Sequence, residues 1–244
     1  MPQRDNRSTM DTSKVDARKK SKPSNATRAT KLYRALKLDI IQGALAPREQ
    51  LRINMLCNRY DTGASPLREA LNRLSAEGFV VQHDQRGFAV ADIPPEDLHE
   101  LTFTRCLLNE IMIPAALKNG DEAWEERVVI AHHHLSKTPP FTSDGQVNEE
   151  YLSRHREFHM SLLAPCGSRW LLELSEKLFD WALRYQYQAL RADIVGSRDV
   201  AREHNELVKA TLARDVAKSI KLHNEHVRST SRYATGKRER TPVV

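Results

Sequence analysis

The stretch "SPLREALNRLSAEGFVVQHDQRGFAVAD" (residues 65–92) constrains the chain most. Leu67, Ala70, Leu71 and Leu74 recur at i, i+3, i+4 and i+7, the signature of a helix that buries a single apolar stripe. At about 100° per residue Ser65, Arg68 and Asn72 fall on the opposite side. Pro66 suits a first helical turn. Two short β-prone runs then flank Asp84-Gln85-Arg86-Gly87, which reads as a hairpin with a charged tip.

Upstream, Leu32, Leu36 and Ile40 space out another helix in "KLYRALKLDIIQG", and Gly43 stops it. "ALAPREQL" reads as a short connection, "RINMLCNRY" as a second short helix and "DTGAS" as a tight polar turn. Three helices followed by a hairpin make a winged helix-turn-helix, whose third helix fits a DNA major groove while the wing reaches a neighbouring backbone or minor groove. Arg68 is the leading contact, because its guanidinium fork pairs with guanine or phosphate. Ser65 and Asn72 on the same face, Arg52 at the second helix, and Arg86 with Gly87 at the wing tip complete the candidate set for double-stranded DNA. Each of these is also a residue type common on solvated surfaces, and Arg73 with Glu69 reads equally well as a structural ion pair.

The chain's 244 residues suffice for two domains. "DIPPEDLHEL" marks the boundary: two prolines break structure, and Pro95-Glu96-Asp97 can open a helix with acids in its first turn. Beyond it only helical periodicity appears, broken at "KNGDE", "SKTPPFTSDGQ", "PCGS" and "VGSRD". The expected fold is therefore mainly α, an N-terminal winged helix-turn-helix joined to a C-terminal all-α bundle of about six helices. Its parts are a basic arm at 1–29, the winged domain at 30–92, the bundle at 93–232 and a frayed tail at 233–244.

Charge placement sharpens this division. Residues 1–31 hold nine Lys/Arg against three Asp/Glu, so the whole formal excess of +6 lies in a polar arm that cannot bury enough surface to order itself. The arm reads as a solubilising tail or as a flexible segment attracted to phosphates. Cys57, Cys106 and Cys166 are odd in number and far apart, which supports neither a disulfide framework nor a CxxC zinc site. No apolar run reaches the ~20 residues of a membrane span and the N-terminus lacks a signal-peptide core, so a cytoplasmic protein without a membrane partner is expected.

In the bundle, "RHREFH" places His155 and His159 one turn apart with Glu157 between them. Zinc proteases use HExxH, whose glutamate directly follows the first histidine and polarises the metal-bound water. Moving the acid one place rotates it by about 100° away from such a position. Catalysis is therefore not expected. His204 and His226 lie equally far before and after Asp215, where "LARDVAKS" reads as a tight reversal with Asp215 capping the next helix. A helical hairpin folded there sets both side chains at one height, roughly 16 Å from the turn at ~1.5 Å per residue. Metal ligation and satisfied core histidines are both open on spacing alone. "HHH" at 132–134 reads as surface, since consecutive helical residues diverge.

Residues 35–93, with "SPLREALNRLSAEGFV" and "QRGFAV" as their most specific part, resemble the DNA-binding domain of GntR-family transcription regulators. The helical portion C-terminal to them resembles the effector domain, FCD, of their FadR-like subfamily; the likeness spans about 30–230. "LRINMLCNRY", "CGSRWLL" and "LFDWALRYQY" are most similar to the carbon-starvation branch, which responds to glutarate-like acids. Where the family usually has Ser-Arg-Thr-Pro, this chain has Gly63-Ala64-Ser65-Pro66, so one arginine that often touches DNA is missing.

The resemblance implies a homodimeric regulator, expected to be a repressor released from its operator by a small carboxylic acid, for example a dicarboxylate such as glutarate. It also implies a divalent metal, held in many FCD domains by an Asp-x-x-x-His pair and two later histidines. His159, His204 and His226 match three of those positions, and His155 stands where the family has aspartate. Exchanging a carboxylate for imidazole leaves the site one unit more positive and shifts preference toward zinc or nickel. Arg105 matches an arginine that faces the effector, and Asn109 replaces a common glutamate one turn later. The competing expectations are a metal-free helical dimerisation domain and a helical metallohydrolase.

Overall fold

The computed structural model describes residues 25–83, 87–145, 147–191 and 198–234. The winged domain comprises α1 (Asn25–Ile41), β1 (Gln50–Leu51), α2 (Ile53–Arg59), α3 (Ala64–Ala76), β2 (Val80–His83) and β3 (Gly87–Val90). The stripe on α3 is fully buried, Leu67, Ala70, Leu71 and Leu74 each at 0% exposure. It packs against Leu32, Leu36 and Ile40 of α1 in one core with Leu51, Phe79 and Phe88.

Two boundaries differ from expectation. Helix α1 begins at Asn25, so residues 25–29 join the helix and not the arm. Ala29 explains the extension: it is fully buried and continues the Leu32–Leu36–Ile40 stripe by one turn. Gln50 and Leu51, in the presumed connection, pair antiparallel with Ala89 and Phe88, which makes the wing a three-stranded sheet of order β1-β3-β2. Burial of Leu51 fixes that register.

The second part is all-helical: α4 (Pro95–Asn119), α5 (Glu122–Lys137), α6 (Glu149–Leu163), a 3-10 turn (Ala164–Cys166), α7 (Arg169–Arg191), α8 (Val200–Leu212) and α9 (Val216–Ala234). Its helix starts follow local chemistry. Pro95 and two acids open α4, while Asp121, Asn148 and Asp199 accept capping hydrogen bonds from Trp124 N, Glu150 N and Arg202 N. Asp215 Oδ1 accepts from Lys218 N at the start of α9, closing the expected α8–α9 reversal. Helix α9 runs to Ala234, just past the expected start of the tail.

Trp124 anchors the bundle core beside Met112, Val128, Phe158 and Leu207 and donates Nε1–H to Ser161 O at 2.7 Å. A Cβ on Gly120 would lie 2.0 Å from that indole, so only glycine fits the α4–α5 corner. Between 179 and 187, α7 is buried on nearly every side, as expected for a helix packed between other elements. Phe179, Leu183 and Tyr187 belong to the same core as the winged domain. Thus α7 is shared by both halves of the molecule. No helix among the described residues is long and apolar enough to cross a membrane.

Candidate metal centre and DNA-facing helix

His155 and His159 project from one face of α6, His204 comes from α8, and His226 comes from α9. Each is buried, and one ring nitrogen from each lies within 4.8 Å of all the others. The α8–α9 hairpin brings the His204 and His226 ring centroids to 5.0 Å, at one height above its turn. A tetrahedral site with bonds of about 2.0–2.1 Å needs nitrogens about 3.3 Å apart, so small rotations close these four around an ion.

The local chemistry fits a metal. His204 Nε2 is buried without a hydrogen-bond partner, and His155 Nε2 faces His159 Nε2 at 3.0 Å. Burial pushes the His155 pKa down to about 3, and the neighbouring His226, Arg105 and Arg198 add to that. His159, His204 and His226 are depressed for the same first reason, burial. Four neutral imidazoles result, the form that ligates. Tyr151 stacks on His155, and Phe179 lies 5.3 and 5.4 Å from His155 and His159, walling the cluster.

His226 carries an acid behind it. Its Nδ1 lies 2.7 Å from Glu203 Oε2, and Arg198 donates to the same carboxylate. Burial would raise the Glu203 pKa, but the hydrogen bonds from Arg198 and His226 outweigh it and hold it at about 2. An ionised Glu203 at this distance takes its hydrogen bond from Nδ1–H of His226, which leaves Nε2 as the nitrogen with a free lone pair. Sequence reading missed Glu203 and Arg198; the only local signal is that Glu203 precedes His204.

Glu157 is exposed and pairs with Arg154 at 3.0 Å, away from the histidine face. Arg105, on α4, is partly buried over the Phe179 ring, 5.6 Å from its centroid, and burial lowers its pKa to about 10. Among the described residues it pairs with no carboxylate. It lines a narrow cleft with Thr102, Gln186, Val227 and Thr230. Asn109 is buried and donates to Asn224 Oδ1 at 3.0 Å. In "HHH", His133 and His134 are exposed, while His132 is partly buried against Phe158.

On the winged domain, Ser65, Arg68 and Asn72 form an exposed face of α3, and Arg52 is exposed just before α2. Gly87 has φ +79° with open space around it, a left-handed position that favours glycine. Arg86 lies outside the described residues. Arg73 does not pair with Glu69; its guanidinium stacks on Tyr33, 4.2 Å from the ring centroid, and reaches Thr30 Oγ1.

Residues 28–90 match the family model of bacterial regulatory proteins of the gntR family, and residues 100–229 match that of the FCD domain. The chain is 36% identical over 198 residues to the HTH-type transcriptional repressor GlaR of Escherichia coli (strain K12), spanning 80% of this chain and 90% of the relative. The chain belongs to the GntR family. A second relative, the uncharacterized HTH-type transcriptional regulator BphR of Paraburkholderia xenovorans (strain LB400), is 32% identical over 81% of each chain. In fold, the protein is similar to E. coli McbR/YncC, with TM-score 0.64 at 20% identity over 82% of this chain and 93% of that one. A GntR transcriptional regulator from Rhodococcus sp. RHA1 gives TM-score 0.63 at 19% identity, over 87% and 100%. This GntR chain therefore joins a DNA-binding winged helix-turn-helix to an FCD domain with a histidine cluster that could hold a metal ion.

Proposed function

We propose that this GntR regulator is a homodimeric repressor whose grip on a near-palindromic operator is released by a small carboxylic acid bound beside a divalent metal. The observation that carries the reading is the meeting of four buried, neutral imidazoles with Arg105, a cation without a carboxylate partner among the described residues. Four imidazoles leave the full charge of a divalent ion uncompensated by its ligands, which favours an anionic ligand from solution and zinc or nickel over magnesium. Arg105 would clamp the acid, with a dicarboxylate such as glutarate as the leading class.

Ser65, Arg68 and Asn72 of α3 would read the major groove, with Arg52 and the wing residues Arg86 and Gly87 on the flanking backbone. One winged domain contacts too few base pairs for selectivity, so two copies are required. Helix α4 offers their meeting face: Phe103, Leu107 and Ile111 recur one turn apart and are 59%, 43% and 59% exposed. The exposed, Arg-paired position of Glu157 supports a binding role over hydrolysis, because a hydrolase needs a base beside the metal. Cytoplasmic placement follows from a DNA partner.

The test is to recover bound DNA from cells and screen small acids in a gel shift with zinc-loaded and chelator-treated protein. Release by an acid only in the presence of metal is the expected result. Release that ignores metal would favour a metal-free helical domain.

A further inference from the structure

The histidine cluster and the recognition helix are joined by a buried ion cluster centred on Asp180. Asp180 sits on α7 with its side chain only 2% exposed, directly after Phe179, whose ring walls His155 and His159. Its carboxylate receives two cations from opposite sides. Arg156, between the two histidines on α6, pairs with Oδ1; Lys37 of α1 pairs with Oδ2 at 2.8 Å. Lys37 continues to Glu77 Oε2 at 2.7 Å, and Glu77 is the residue that closes α3. Tyr33 donates to the other Glu77 oxygen at 2.6 Å.

The next residue, Trp181, reinforces the same corner. Its indole stacks on Phe79 with ring centroids 5.2 Å apart and points Nε1–H at Glu77 O. It also covers Gly78, where a Cβ would lie 3.1 Å from the ring at φ +82°. A further turn on, Arg184 donates to Ala91 O at 2.8 Å. Asp180, Trp181 and Arg184 thus all engage the winged domain, and Asp180 also pairs with Arg156 of α6.

We infer that Asp180 is the positioning residue that links occupancy of the histidine cluster to the pose of α3. This link rests on the metal binding proposed for the cluster, and adds that occupancy of the cluster itself biases the pose of α3. A buried carboxylate shared by two cations tolerates little displacement, because moving either partner leaves one buried carboxylate oxygen without its partner. Any shift of α6 or Phe179 as the imidazoles close on an ion therefore acts on Asp180, and through Lys37 and Glu77 on the end of the recognition helix. Proximity alone does not establish coupling; a shared free energy does.

The experiment measures operator affinity of the full chain with zinc and with chelator, in the parent, Asp180→Asn and Lys37→Met. The parent's affinity is expected to change by at least about fivefold between the two states, within the range typical of coupled sites. Each variant should bring that ratio below about twofold, while zinc affinity without DNA stays within about threefold of the parent. The double variant should lose no more coupling than either single one. Lys37→Met approaches the pair from its partly exposed end, so the question is decided even if Asp180→Asn does not fold. A variant that keeps the parent's ratio overturns this inference alone. A parent whose operator affinity ignores zinc overturns this inference as well, and leaves acid release, which the gel shift decides, standing.

Discussion

His155 Nε2 and His159 Nε2 face each other at 3.0 Å in the protein interior, on consecutive turns of α6. Two neutral imidazoles can satisfy only one hydrogen bond in that arrangement, while His204 Nε2 nearby has none. An ion resolves all of them at once. Zinc at 1,000 times its Kd is expected to stabilise the fold by ~4 kcal/mol. His204→Ala should remove nearly all of that gain. Thermal unfolding with and without zinc, set beside metal content by elemental analysis, checks both.

Arg68 projects from the exposed side of α3, opposite the buried Leu67–Leu71–Leu74 stripe. Arg68→Ala should weaken operator binding by ~1–3 kcal/mol if the guanidinium reads a base, and relax preference at that position. A uniform loss across sequences, with a shallower salt dependence, would assign it to a phosphate. Fluorescence anisotropy on operator and scrambled duplexes at several salt concentrations separates these outcomes.

What was legible in the chain came from short-range periodicity. The α3 stripe, the two-proline start of α4 and the Asp215 reversal each lie within one element or one turn, so residue spacing encodes them. The meeting of His204 and His226 was readable for the same reason, since counting from a hairpin turn sets the height of both side chains. Asp180 shows the opposite case. In "LFDWALRYQY" no spacing singles it out, and its cations Lys37 and Arg156 are distant in sequence. Likewise Gln50–Leu51 gives no strand signal, because two residues are too few for alternation and the pairing partner comes nearly forty positions later. Glu203 gains its role only when α9 folds back and sets His226 beside it.

Arg105 lies over Phe179 at the edge of the histidine cluster, and burial already disfavours its charge. An incoming carboxylate relieves that penalty by pairing with it. Arg105→Met, which keeps much of the apolar stem, should abolish release of operator by acids while leaving zinc content unchanged. Isothermal titration of zinc-loaded protein with the acid found by screening is the direct measurement. Undiminished acid affinity in the variant would remove Arg105 from the effector site.

His223 is buried one turn before His226, outside the four-histidine cluster. Its Nδ1–H donates to Ser219 O at 2.8 Å, and burial pushes its pKa down to about 4, from about 6.5 in an unfolded chain. A depressed folded-state pKa means that the unfolded chain binds the proton first as pH falls. The contribution is whole above about pH 6.5 and drains away toward pH 4. At pH 5 this one group should cost the fold ~2 kcal/mol relative to pH 7. Urea unfolding in chelator at both pH values should show the loss, and His223→Leu should lessen it by about that amount.

Phe103, Leu107 and Ile111 repeat every four residues along α4, on the side opposite its core residues Cys106, Met112 and Ile113. Three large apolar side chains in one exposed row cost the isolated chain hydrophobic free energy that a second copy recovers on contact. A two-fold axis beside α4 would pair the row with itself, as an isologous interface requires. Ile111→Glu then sets two like charges across that axis at the centre of an apolar contact. The parent is expected to sediment as a dimer, and the variant as a monomer at the same concentrations. The variant should also lose cooperative binding to a two-half-site operator, while affinity for a single half-site stays near the parent's. A variant that remains dimeric would place the subunit contact on another face.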